Sequence, residues 1–132
     1  AEGCFGDGRG PELAWYGGAG EALTPTRLGE RIDQALGREP LIIGAGPARI
    51  SRLGWCTGAA QSYLEAAAQL GLDAFISGEI SEQTVHIARE YGIHYFAAGH
   101  HATERYGVQA LGDHLATQFG LQHKFIEINN PV

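Results

Sequence analysis

The sequence predicts an α/β fold, with strands and helices alternating around a mixed sheet. Three observations carry that expectation. Short apolar runs rich in branched side chains recur along the chain. Stretches with apolar residues at helical spacing lie between them, and most of those stretches close on a glycine. With 132 residues, 44% of them hydrophobic and 18% charged, the chain has the size and composition of a single domain with a buried core.

The elements follow in order. Gly3, Gly6, Gly8, Gly10, Gly17, Gly18 and Gly20 make the opening look like a connection. Residues 1–22 are therefore read as a glycine-rich link and 23–132 as the α/β portion. Thr24-Pro25 starts a helix, with Thr as N-cap and Pro at the first helical position. Leu28, Ile32, Ala35 and Leu36 continue it, and Gly37 supplies the left-handed stop. Leu41 to Ile43 and Ile50 to Cys56 read as strands. After Thr57-Gly58, a helix carries Leu64, Ala67 and Ala68 and closes at Gly71. Ala74 to Ser77 is a buried strand. Ser81 caps the next helix, with Ile80 and Val85 at the positions of a hydrophobic staple, and Gly92 ends it. Ile93 to Ala98 returns as a strand. A last helix from about Ala102 to Phe119 carries an apolar stripe of Val108, Leu111, Leu115 and Phe119 and closes at Gly120. Lys124 to Ile128 reads as a final strand before Asn130-Pro131.

Composition excludes several classes. Nine Lys+Arg against 15 Asp+Glu give a formal charge of -6, the wrong balance for gripping a nucleic-acid backbone. No apolar run approaches the roughly 20 residues of a membrane helix, and Ala1-Glu2-Gly3 lacks the pattern of a secretory signal. Cys4 and Cys56 are too few for a disulfide scaffold and wrongly spaced for a zinc knuckle. A soluble, cytoplasmic protein is expected. The absence of any Met suggests a piece of a longer polypeptide, a removed initiator being the alternative.

In α/β sheets, ligands bind beyond the carboxyl ends of strands. Three handovers from strand to helix meet that description: Thr57-Gly58, Gly78-Glu79 and Gly99-His100-His101. His100 and Glu104, four apart at the mouth of a helix, project from one face and suit a first-row metal ion. The alternative is a His packed on the sheet and a Glu drawn to the helix N-terminus. His101 is a second ligand, a supporting donor or simply exposed. Glu79 and His86, a carboxylate and an imidazole two helical turns apart, suit general acid/base work; otherwise they are a polar turn and a partly buried His. His94, His114 and His123 receive no role. Gly44-Ala45-Gly46 opens like a dinucleotide fingerprint, but Arg49 holds the third glycine position and no helical pattern starts there. Cys56 reads as a small buried thiol.

Three motifs then occur in register. They are Gly54-Trp55-Cys56-Thr57-Gly58, the run from Asp73 through Ser77-Gly78-Glu79 to Thr84, and Ala97-Ala98-Gly99-His100-His101-Ala102-Thr103-Glu104-Arg105. From about Leu41 onward the chain resembles the C-terminal half of the GTP cyclohydrolase type 2 homologue family, also called the Nif-three-like dinuclear-metal family. The resemblance implies one lobe of a two-lobed α/β protein and a homo-oligomeric ring of six. It also implies two divalent metal ions (Zn, Fe, Mn or Ni) between the lobes, with His100 and Glu104 as this half's ligands. The remaining ligands, a pair of adjacent histidines and an acidic residue, belong to the N-terminal half and have no counterpart here. The implied activity is metal-dependent hydrolysis opening the ring of a purine nucleotide. Glu79 and His86 follow a strand end at the same sheet edge as His100, which makes one of them the expected group to handle protons. The other class left open is a metal-dependent scaffold that recruits a partner without turnover.

Overall fold

The computed structural model describes residues 1–8 and 10–132. The strands are Gly3–Phe5 (β1), Ala14–Leu23 (β2), Leu41–Ile43 (β3), Ile50–Trp55 (β4), Ala74–Ser77 (β5) and His94–Ala97 (β6). They form one six-stranded sheet in the order β1-β2-β4-β5-β6-β3. β4, β5 and β6 run parallel at its centre, and β2 and β3 flank them antiparallel. The helices are Pro25–Leu36 (α1), Leu64–Gln69 (α2), Glu82–Tyr91 (α3) and His100–Phe119 (α4), with a 3₁₀ turn over Gln61–Tyr63 leading into α2. The expected α/β fold class is the observed one.

Alternation along the central strands divides the core between the two faces of the sheet. Phe75 and Tyr95 pack with Tyr63, Leu64, Ala67 and Ala88 beneath α2 and α3. Ala74 and Phe96 face the other way, against Leu28 and Ile32 of α1. The rings of Phe5 and Phe75 meet nearly edge-on at 5.9 Å, a favoured aromatic geometry.

Local chemistry places the helix ends. The Thr24 hydroxyl accepts the Arg27 N–H at 3.2 Å, Pro25 opens α1, and Gly37 closes it at φ 65°. Thr84, 1% exposed, accepts the Ser81 N–H at 3.2 Å and fixes the start of α3.

The structure corrects the sequence reading in two places. The glycine-rich opening, expected as a connection over residues 1–22, supplies β1 and most of β2. Phe5 and Ala14 are buried, while Gly17, Gly18 and Gly20 within β2 blur the period-two signal that marks a strand. At Gly3 a Cβ would lie 2.7 Å from the Tyr16 hydroxyl, so a small residue suits this pairing. The strand expected over Lys124 to Ile128 does not form, and that segment is irregular. The apolar stripe read on α4 lies on the exposed side of the helix. Val108, Leu111, Leu115 and Phe119 are exposed, and Ala102 alone of the helix is buried among the described residues. The helix is held at its first turns instead, where the Tyr106 hydroxyl donates to the Ala35 carbonyl at 2.9 Å and the Arg105 guanidinium to that of Leu36.

Urea denaturation tests this division. Phe75→Ala, at a wholly buried site, is expected to cost about 3–5 kcal/mol. Phe119→Ala, at a side chain 70% exposed, is expected to change stability by no more than about 0.5 kcal/mol.

Candidate functional site

Because β4, β5 and β6 are parallel, their carboxyl ends share one edge of the sheet. Each hands over through a glycine, and the three turns are bonded to one another. The Gly58 carbonyl accepts the N–H groups of Gly78 at 2.8 Å and Glu79 at 3.2 Å, and the Ser77 hydroxyl at 3.1 Å. The Gly78 carbonyl accepts the Gly99 N–H at 2.9 Å. The Gly58 N–H donates to the Thr103 hydroxyl at 3.0 Å, tying the first turn to α4. Contact is too close for side chains. A Cβ on Gly78 would lie 2.6 Å from the Gly58 carbonyl oxygen and 2.8 Å from the Cα of His100.

This junction brings together Glu79, His100 and Glu104. The Nδ1 of His100 lies 2.7 Å from Glu79 Oε1, and its Nε2 lies 3.0 Å from Glu104 Oε2. The Glu79 carboxylate raises the pKa of His100 by hydrogen bonding, against the opposing effect of desolvation. Reciprocally, the hydrogen bond from His100 lowers the pKa of Glu79. The backbone of Glu79 is held on both sides, since its carbonyl accepts the hydroxyl of Tyr95. Burial pushes that buried phenol's pKa well up, keeping it protonated as a donor. Gln61 Nε2 reaches the second Glu79 oxygen at 3.5 Å.

Of the residues expected to act here, His86 is not brought in. It is exposed on α3 and makes no hydrogen bond or ion pair with the other three among the described residues. His101 turns away from His100 to Glu127, 2.7 Å from its Nε2, and Arg105 reaches the same carboxylate at 3.4 Å. An open cleft of about 600 Å³ runs past His100, Glu104, Arg105, Val108 and Phe125. Burial, with a smaller contribution from the charge of Glu104, raises the pKa of Cys56, as suits an unreactive thiol. His94, given no role from sequence, is a structural clamp. Its Nδ1 accepts the Gly46 N–H at 3.2 Å, and its Nε2–H donates to the Pro47 carbonyl at 2.8 Å. A Cβ on Gly46 would come within 2.7 Å of that ring, so this glycine serves close packing. Sequence reasoning also missed Ser77, Tyr95 and Thr103 as parts of the junction. Their only sequence signal was that they sit within or beside the motifs.

A family model described as Duf34/NIF3 (NGG1p interacting factor 3) matches residues 10–131. The chain belongs to this family. Among Duf34/NIF3 relatives, it is 57% identical over 119 residues to a GTP cyclohydrolase 1 type 2 homolog of Allochromatium vinosum, covering 90% of this chain and 47% of that protein. It is 50% identical over 130 residues to the protein of the same name from Pseudomonas aeruginosa, covering 98% and 51%. The chain thus spans about half the length of the curated relatives it matches. A solved structure described as protein ybgI, unknown function, superposes with a TM-score of 0.88 at 46% identity, over 92% of this chain and 50% of that one. A protein from Thermus thermophilus shares the fold at TM-score 0.71 and 24% identity, over 89% and 45%.

The donor set suits a divalent cation but is incomplete. A ring nitrogen and a carboxylate oxygen converge beside Gly58, where a Cβ would collide with Glu104 Oε1 and lie 3.3 Å from His100 Nε2. No group of three or more His, Cys, Asp or Glu that could hold a metal ion occurs among the described residues. Further ligands would have to come from outside this chain.

Two glycine variants probe the junction. Gly78→Ala is expected to destabilise by about 1–3 kcal/mol through overpacking against backbone. Gly58→Ala, at φ 66°, is expected to cost about 1–2 kcal/mol for the left-handed conformation and to displace the Glu104 carboxylate. Denaturant titrations check the two stability values; a crystal structure of the Gly58 variant checks the displacement.

Proposed function

We propose that this chain supplies one half of a dinuclear divalent-metal centre in a hydrolase that opens the ring of a purine nucleotide. The observation that carries the reading is the convergence of His100 Nε2 and Glu104 Oε2, 3.0 Å apart, beside Gly58, where any side chain would displace the Glu104 carboxylate. Membership in a family whose relatives bear the name GTP cyclohydrolase 1 type 2 homolog supports the substrate class.

His100 and Glu104 would hold the cation from this side, and the remaining ligands and nucleotide contacts are assigned to the N-terminal half of the full-length protein. The pair of cations, when bound, supplies Lewis acidity, which makes water nucleophilic near neutral pH. Hydrolytic ring opening would add water to the carbon between the two imidazole nitrogens and break one carbon–nitrogen bond. The chain's own contribution is to orient the two donors. The open cleft beside them gives a ligand access from the face bearing Arg105. The apolar face of α4 supports the same division of labour, because it is a surface for the missing half, or for a further copy in a homo-oligomeric ring, to cover.

Metal analysis of the full-length protein tests the assignment. His100→Ala and Glu104→Ala are each expected to strip most of the bound metal while leaving the circular dichroism unchanged. Full metal content in the double variant would remove both residues from the centre. A screen of purine nucleoside triphosphates with the loaded wild type addresses the reaction, and a failure to turn over any of them would favour the non-catalytic scaffold.

A further inference from the structure

The imidazole of His100 has a carboxylate at each nitrogen, and the two carboxylates are held very differently. Glu79 is fixed through its backbone, its N–H bonded to the Gly58 carbonyl at 3.2 Å and its carbonyl to the buried Tyr95 hydroxyl. Its side chain is 34% exposed, and Oε1 stands 2.7 Å from Nδ1. Glu104 rides on the helix one turn beyond His100. Its side chain is 52% exposed, and Oε2 stands 3.0 Å from Nε2. A neutral imidazole carries a single N–H, and the nearer, better-anchored acceptor takes it. Nε2 is then left with a lone pair facing a carboxylate oxygen. Two electron-rich atoms at that distance repel each other unless a proton or a metal cation lies between or beside them. Gly58, without a Cβ, lets the Glu104 carboxylate come this close to the ring.

We infer that Glu79 is a positioning residue, which accepts a hydrogen bond from the Nδ1–H of His100 and thereby commits Nε2 to a divalent cation shared with Glu104. The inference rests on the metal-centre reading given above, and it gives Glu79 a role other than proton transfer to a substrate. The carboxylate holds the ring in one tautomer and one orientation and increases the basicity of the ligating nitrogen. Gln61, 3.5 Å from the second Glu79 oxygen, restrains rotation of the carboxylate from behind. The competing arrangement is a permanent ion triad in which His100 stays protonated at both nitrogens and binds no metal.

The test uses zinc ion as probe and the full-length protein, labelled with ¹⁵N. Long-range proton–nitrogen spectra of the zinc-loaded wild type are expected to show His100 Nδ1 protonated and Nε2 metal-bound. Competition with a chromogenic chelator is expected to show zinc affinity reduced about 10–100-fold by Glu79→Ala. Glu79→Gln, whose amide oxygen still accepts the Nδ1–H, is expected to keep the tautomer and to recover much of that loss. Zinc affinity unchanged in Glu79→Ala, zinc on Nδ1, or a Glu79→Gln variant as weak as Glu79→Ala would each overturn the inference. If Glu79→Ala does not fold, the spectrum of Glu79→Gln decides alone, and loss of the protonated Nδ1 signal there would overturn it. Failure of the wild type itself to bind zinc would overturn the metal-centre reading and this inference together, whereas normal binding by both wild type and Glu79→Ala would overturn this inference alone.

Discussion

The carbonyl of Gly58 receives two backbone N–H groups and the Ser77 hydroxyl, and the geometry of the whole strand edge follows from that convergence. A carbonyl can take three donors from the neighbouring turn, Ser77 to Glu79, only where the two segments touch. Touching requires that Gly58 and Gly78 carry no side chain, because a Cβ at either would enter the neighbouring turn or the site. The parallel register aligns Trp55 with Ile76 and Ser77 with Ala97, so the turns that follow arrive side by side. Glu79 and His100 meet because their backbones already do.

The electrostatics of the site follow from that placement. Two carboxylates flank one imidazole in a chain whose formal charge is -6. The mutual attraction of His100 and Glu79 shifts each toward its charged form. A cluster with this excess of negative charge suits a cation far better than an anion. On the other side of the helix, the basic groups of His101 and Arg105 are taken up by Glu127, so the two adjacent histidines face different partners.

α4 behaves as two objects. Its first turns belong to the sheet edge and the site, bonded to the end of α1 and to the Gly58 turn. Beyond Tyr106 it presents Val108, Leu111, Leu115 and Phe119 outward, and Ile126 and Ile128 of the irregular tail are exposed as well. An apolar stripe at helical spacing marks a face suited to packing. It does not say that the packing surface lies on the same chain.

Elements whose signals are local were legible in the sequence. The Thr-Pro start and glycine stop of α1, the bounds of β3 and β5, and the Ser81 start of α3 depend on capping chemistry and on short branched runs, and these act within a few residues. The same holds for His100 with Glu104, since helical spacing alone puts i and i+4 on one face. Tertiary structure decided the rest. Phe5, Ala14 and Leu23 make the glycine-rich opening a pair of strands only because a neighbouring strand and a core exist for them to meet. Lys124 to Ile128 has strand-like residues but no sheet edge paired with it, and it stays irregular. The partner of His100 was chosen in the same way. His86 lay two turns along the helix after Glu79 and looked equally available, yet helical spacing relates residues only within one element. Strand register brought Glu79 across from β5 to His100 and left His86 on the outer face of α3, because distance between elements is set by which strands pair and where their turns touch.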